Sequence, residues 1–199
     1  MLTFESYNEL DLWKLFLEGD KEAFSVFYRH NYRKLYSYGI SLGMDSELID
    51  DIIQELFVKL YTRPQLIKDF STIQAFLYAA MRNAFVNHEK QRKKYYLDEF
   101  ENFELPYFVE NTQIEDEEEL KALKEKIHRI INSLTPRQKE IIYLRFLHQK
   151  EYEEIARIMD MSEQAARNLT YRAMEKIRKE NNDFFVLLFM IALFSDYHF

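Results

Sequence analysis

The sequence predicts an all-α protein of two helical domains joined by an acidic linker, the C-terminal domain being a helix-turn-helix. Three observations carry this. Only 3 Gly and 3 Pro interrupt 199 residues, of which 31% are charged, so long stretches lack turn-makers and suit helices. Two capping-box sequences mark helix starts, and apolar residues recur after them at helical spacing. Basic and acidic residues are segregated along the chain, which separates one half from the other. A 47% hydrophobic content is ample for packed cores in one domain or two small ones.

In the N-terminal half, a helix from about Ser46 to Thr62 buries Ile49, Ile53, Leu56 and Leu60 and turns Asp50, Asp51, Gln54 and Glu55 outward. Pro64 ends it, having no N–H to continue the ladder. Ser71-Thr72-Ile73-Gln74 fits the capping box, in which a hydroxyl and the third helical side chain satisfy each other's orphan donors. A second helix therefore begins near Thr72. Its apolar positions are Ile73, Leu77, Ala80 and Ala84, while Arg82, Asn83, Asn87 and Lys90 fall elsewhere on the wheel, leaving one face to pack and another free.

The basic cluster Lys90, Arg92, Lys93, Lys94 gives way to an acidic run containing Asp98, Glu99, Glu101, Glu104, Glu110 and residues 115–119. Such a run self-repels and stays solvated, and it can screen basic surfaces. Residues 97–118 are accordingly read as a linker between an N-terminal domain, 1–96, and a C-terminal domain, 119–180.

The C-terminal domain holds the clearest motif. Thr135-Pro136-Arg137-Gln138 is a second capping box, with Pro where a missing N–H costs nothing. A short helix from Glu151 to Met159, a turn at Asp160-Met161-Ser162 and a longer helix from Glu163 to Lys179 make the helix-turn-helix. Ala166, Leu169, Ala173 and Ile177 bury one stripe of the longer helix; Gln164, Arg167, Asn168, Tyr171, Arg172 and Lys176 occupy the other faces. In this motif the second helix enters the major groove, where amides and guanidinium groups near its start read base edges and later basic residues hold phosphate. Gln164, Arg167 and Asn168 are the candidate readers.

These residues carry a family resemblance. The run from Leu134 to Phe146, then Tyr152-Glu-Glu-Ile-Ala156 and the stretch Ala165 to Ala173, resemble the promoter-binding C-terminal domain of extracytoplasmic-function sigma factors of bacterial RNA polymerase. Gly19-Asp20-Lys-Glu-Ala-Phe24, Phe27-Tyr28 and Leu35-Tyr36 are similar to that family's opening helices, Asp51-Ile-Ile-Gln54-Glu55-Leu-Phe57 to its polymerase-binding helix, and Phe76-Leu77 through Arg82-Asn83 to its DNA-opening segment. The resemblance runs in family order over residues 10–180.

The resemblance implies partners and roles. Asp50, Asp51, Gln54 and Glu55 would dock on core RNA polymerase, whose largest subunit supplies basic groups. Arg82, Asn83, Asn87 and Lys90 would meet the minus-ten element of promoter DNA, with Lys68, Asp69 and Phe70 in the loop that receives an unstacked base and Phe70, Tyr78 and Phe85 as stacking partners. Gln164, Arg167, Asn168, Tyr171, Arg172 and Lys176 would meet the minus-thirty-five element, and an anti-sigma factor would be a further partner. The chain departs from the family in having Asp160 where the turn usually has Gly, Glu151 where a Ser or Thr caps the helix, and a tail that the family does not predict. Asp tolerates a left-handed backbone better than most residues, so the turn is retained.

That tail, residues 181–199, contains an apolar run from Phe184 to Phe194. As a helix it would cover about half of the ~30 Å of a bilayer core, so it does not insert stably in a membrane. Its large side chains are expected to pack against one of the two domains.

Other classes are excluded or set aside. The chain has no Cys, which removes disulfides and thiolate metal sites and fits the cytoplasm. Glu125 and His128 have the Glu-x-x-His spacing of di-iron bundles, but none of His30, His88, His148 and His198 has a Glu three positions earlier, so the second copy is lacking. No phosphate-binding Gly-rich loop is present. The expectation is no cofactor, no metal and no enzymatic activity. A net charge of −7 is unusual for a DNA-binding chain. Two alternatives stand beside the sigma reading: a helix-turn-helix transcriptional regulator with a helical ligand-binding or dimerisation domain, and a helical adaptor that binds proteins through acidic faces.

Overall fold

A computed structural model describes residues 7–67, 73–93, 103 and 117–180. Its helices are α1 (Glu9–Leu17), α2 (Lys21–Ser41), α3 (Ser46–Thr62), α4 (Ile73–Lys93), α5 (Glu117–Ser133), α6 (Pro136–Ile142), α7 (Tyr152–Ile158) and α8 (Glu163–Glu180). No strand occurs among the described residues. The chain divides into two units, residues 1–97 with 157–159, and residues 98–156 with 160–199.

The helix starts are chemically marked. Asn8, Asp20 and Asp45 each accept hydrogen bonds from the first-turn amides of α1, α2 and α3, which relieves orphan donors. The expected Thr135 box is complete: the Gln138 amide donates to the Thr135 hydroxyl at 3.3 Å, and the Thr135 amide donates to the Gln138 side chain at 3.0 Å. Ser162 caps α8 through the Ala165 amide at 3.1 Å. The Ser71-Thr72 box lies outside the described residues. Glu151 makes a different start for α7. Its amide donates to the Glu154 carboxylate at 2.9 Å, while its own carboxylate pairs with Arg145 at 3.1 Å.

Three helices end alike. After α1, α2 and α7 the chain turns through a left-handed residue, Gly19, Gly43 and Asp160 (φ 106°, 85° and 50°). In each case the next amide reaches back to a carbonyl five residues earlier: Asp20 to Leu15, Met44 to Gly39, Met161 to Ala156. This is the Schellman arrangement, and Asp160 fills the position that Gly fills twice.

In the first unit, α2 packs against α1, α3 and α4, and α3 against α4. Trp13 is fully buried, its ring 5.3 Å from those of Phe16 and Phe27, and Phe27 continues to Phe57 at 5.8 Å. The expected face of α3 is observed, with Ile49, Ile53, Leu56 and Leu60 buried. The packing face of α4 requires correction. It centres on Tyr78, Met81 and Phe85, flanked by Ile73 and Leu77 on one side and by Ala75 and Arg82 on the other; Ala80 and Ala84 are only half-buried. Both α2 and α3 cover α4, so a wider arc is buried than one apolar stripe. At Gly39 the neighbours come close: a Cβ there would lie 2.7 Å from Ile49 Cγ1 and 2.8 Å from Met81 Cε.

In the second unit, α8 packs on α5 and α6 around Ile130, Leu134, Ile142, Ala173 and Ile177, with Phe146, Leu147 and Met174 against them. Along α8, Thr170 is buried and Leu169 only half-buried, which shifts the expected stripe slightly. α6 runs directly into a π-helical turn, Tyr143–Leu147, which periodicity did not reveal. Tyr143 is fully buried there, and its ring meets that of Phe103 at 5.6 Å. Phe103 itself has no exposed surface. Phe103, within the stretch read as an acidic linker, thus packs on Tyr143, and the last residues of that stretch, from Glu117, belong to α5.

Candidate nucleic-acid interface and acidic docking face

The outward face of α3 carries Asp50, Asp51, Gln54 and Glu55, all exposed, because the opposite face is committed to the core. Asp50 accepts a 2.6 Å hydrogen bond from the Tyr32 hydroxyl on α2. That bond, with burial and the adjacent negative charge, pushes the Tyr32 phenol up to about 12. Glu55 pairs with Lys59 at 2.6 Å. Among the described residues neither Asp50 nor Asp51 has a basic partner. Next to these carboxylates lies a groove of about 560 Å³ between α2 and α3, lined by Phe24, Tyr28, Tyr32, Phe57, Val58 and Tyr61 together with Asp50, Gln54 and Thr62. Acidic groups beside an aromatic groove suit a partner surface that carries both basic and apolar side chains.

On α4, Asn83, Asn87 and Lys90 are exposed and lie at spacings of four and three residues, which puts them on one face. Arg82 does not join them. It is 8% exposed, on the buried side, so its assignment to the free face is corrected. Tyr78 and Phe85 are likewise buried, at 1% and 7%, and their rings serve the core rather than stacking on a base; Tyr78 packs on Tyr38 at 5.0 Å. Lys68, Asp69 and Phe70 lie outside the described residues.

The helix-turn-helix is formed by α7 and α8. Gln164, Arg167, Asn168, Tyr171 and Arg172 are all exposed on α8. They are pre-arranged: the Gln164 amide donates to Asn168 Oδ1 at 3.1 Å, and Arg167 donates to Glu163 at 2.5 Å. The Arg167 guanidinium also lies 4.5 Å from the Tyr152 ring centroid. Lys176 departs from expectation. It is half-buried, and its ammonium donates to the Ser133 carbonyl at the end of α5. Carbonyls at a helix C-terminus lack intrahelical donors and attract cations, so Lys176 joins α8 to α5 rather than standing free.

Sequence reasoning missed Tyr32 and Tyr152. The four-residue spacing of Tyr28, Tyr32 and Tyr36 was a usable signal for an aromatic edge on α2. Nothing local marked Tyr152, whose partners Arg145 and Arg167 come from elements on either side of it. Among the described residues no group of His, Cys, Asp or Glu could hold a metal ion, and no helix is long and apolar enough to cross a membrane.

Two family models match the chain: sigma-70 region 2 over residues 27–95 and sigma-70 region 4 over residues 124–177. The ECF RNA polymerase sigma-E factor of Escherichia coli (strain K12) is 30% identical over 172 residues, covering 80% of this chain and 87% of the relative. The chain belongs to the ECF sigma factors of the sigma-70 family. It is therefore an alternative sigma factor for transcription initiation, with region 2 spanning most of α2 to α4 and region 4 holding the helix-turn-helix. The ECF sigma factor SigM of Bacillus subtilis (strain 168) is 23% identical over 144 residues, covering 72% of this sigma factor and 86% of SigM. A solved structure of CnrH in complex with the cytosolic domain of CnrY shares the fold, with a TM-score of 0.55 at 16% identity, covering 86% of this chain and 95% of that one. The regulator alternative is not favoured, because it leaves the region 2 match unexplained.

Proposed function

We propose that this sigma factor docks on core RNA polymerase through Asp50, Asp51, Gln54 and Glu55 and reads promoter DNA with two separate faces. Asn83, Asn87 and Lys90 serve the minus-ten element, and Gln164, Arg167, Asn168, Tyr171 and Arg172 the minus-thirty-five element. Arg82 and Lys176 act in the frame that holds these faces. Its site of action is the cytoplasm, and an anti-sigma factor is a further partner.

The observation that carries this reading is the exposure of Asp50 and Asp51, neither with a basic partner among the described residues, beside an aromatic groove, within the region 2 match. Carboxylates held outward without an internal cation are available to a basic partner. Replacing Asp51 and Glu55 by Lys is expected to weaken co-sedimentation with core polymerase and run-off transcription while circular dichroism stays unchanged. Undiminished polymerase binding by the doubly substituted protein would sink the docking assignment.

A further inference from the structure

Arg167 projects from the first turns of α8 as a long side chain. An unrestrained arginine loses much of its rotamer freedom when it binds. Here it is restrained beforehand by two contacts of different kinds. Glu163 takes one hydrogen bond at 2.5 Å, and the Tyr152 ring lies 4.5 Å from its Cζ. A second cation, Arg145, lies 4.9 Å from the same ring. Each guanidinium has its own carboxylate, Arg145 having Glu151 at 3.1 Å, which offsets the repulsion between them. Arg145 is further fixed by donating to the Lys150 carbonyl at 2.8 Å. Tyr152, half-buried at the first position of α7, is thus seated by Arg145 on one side of the sequence and meets Arg167 from the other.

A guanidinium offers an aromatic ring its face, whereas its N–H donors lie in its plane, at the edge. Stacking therefore consumes no hydrogen bond. With one of five N–H groups engaged by Glu163, the fork that bidentate recognition of guanine needs is still available. We infer that Tyr152, which is not on the recognition helix, is a specificity-determining residue: it positions Arg167 by the face so that the edge is presented to a base pair. This rests on the reading of Arg167 as a base reader.

The test uses the full chain with core polymerase in run-off transcription from a promoter library randomised in the upstream element. Arg167→Ala should erase preference at one base-pair position. Tyr152→Leu should lower preference at that same position by about two- to fivefold, the worth of an exposed cation–π contact, and leave other positions unchanged; Tyr152→Phe should keep it. If Arg167→Ala alters no position, the base-reading assignment fails and takes the inference with it. If Arg167→Ala acts but Tyr152→Leu does not, or Tyr152→Leu lowers every position equally, only the role of Tyr152 is overturned. Nuclear magnetic resonance of the free protein gives a readout that needs no variant. The Arg167 side-chain Nε–H proton should be shifted upfield of that of Arg178, which is exposed on the same helix, by the Tyr152 ring current. Coincident resonances would overturn the inference, even where Tyr152→Leu fails to fold.

Discussion

Gly39→Ala isolates what the close approach of α2 to its neighbours contributes. Gly39 is buried within α2 at ordinary helical torsions, so backbone strain plays no part. The added methyl would meet Ile49 Cγ1 at 2.7 Å and Met81 Cε at 2.8 Å. Met81 Cε is the end of a flexible side chain and can move aside at low cost. Ile49 cannot do so readily, because a β-branched residue in a helix has essentially one χ1 well. Overpacking of this kind costs about 1–3 kcal/mol, against which alanine gains about 0.8–1 kcal/mol of helix propensity over glycine. With one stiff neighbour and one soft one, the net expectation is a loss of about 1 kcal/mol, or a fall of about 4–8 °C in melting temperature for a domain of this size. The chain has a single tryptophan, Trp13, fully buried in the first unit, so its fluorescence follows that unit alone during thermal unfolding. An unchanged or raised midpoint would mean that α2 is not held against Ile49 as described, and that propensity outweighs packing.

Three further outcomes follow from particular contacts. The Tyr32 phenol is raised from its usual value of 10.0 to about 12, so its stabilising bond to Asp50 should be fully present below pH 10 and be lost between pH 10 and 12. The phenolate absorbance lost on Tyr32→Phe should belong to a tyrosine that titrates late, and Asp50→Asn should move that titration back toward 10; an unmoved titration would refute the coupling. Asp160→Gly removes a side chain from a left-handed turn (φ 50°) and should leave stability unchanged or raise it by up to ~1 kcal/mol in urea unfolding, whereas a clear loss would show the carboxylate to be needed. Lys176→Ala removes the tie to Ser133 and should lower the stability of the second unit by about 0.5–1.5 kcal/mol, read by amide hydrogen exchange in α5 and α8, with no change there if Lys176 is free in solution.

What the sequence disclosed depended on how wide an arc each helix buries. α3 buries one narrow stripe, so its apolar face and its ends at Ser46 and Thr62 were legible, with the acidic residues left over on the outside. α4 buries a wider arc, which takes in Arg82, whose place off the apolar stripe suggested solvent. Lys176 was misread for a related reason: a hydrogen bond to Ser133 spans 43 residues, and nothing on α8 announces it. The turn at Asp160 was legible because only a few residue types tolerate a left-handed backbone. The roles of α8 side chains were legible only as a list of candidates, since ion pairs and ring contacts decide which of them are held and which are loose.

The π-helical turn at Tyr143–Leu147 places a constraint on chain length that no single side chain imposes. A residue added to or taken from an α-helix rotates everything beyond it by about 100°, because a turn holds 3.6 residues. The π turn accommodates one residue more than an α turn would, and Arg145 within it comes round to Lys150, Glu151 and Tyr152. Deleting any one of these five residues would let the segment relax to α-geometry and swing the following turn, with α7 and α8 attached, out of phase with α6. Single deletions here should therefore be more damaging than most substitutions. Relatives that differ by one residue in this stretch would have to compensate in the loop before α7 to keep the same face of α8 outward.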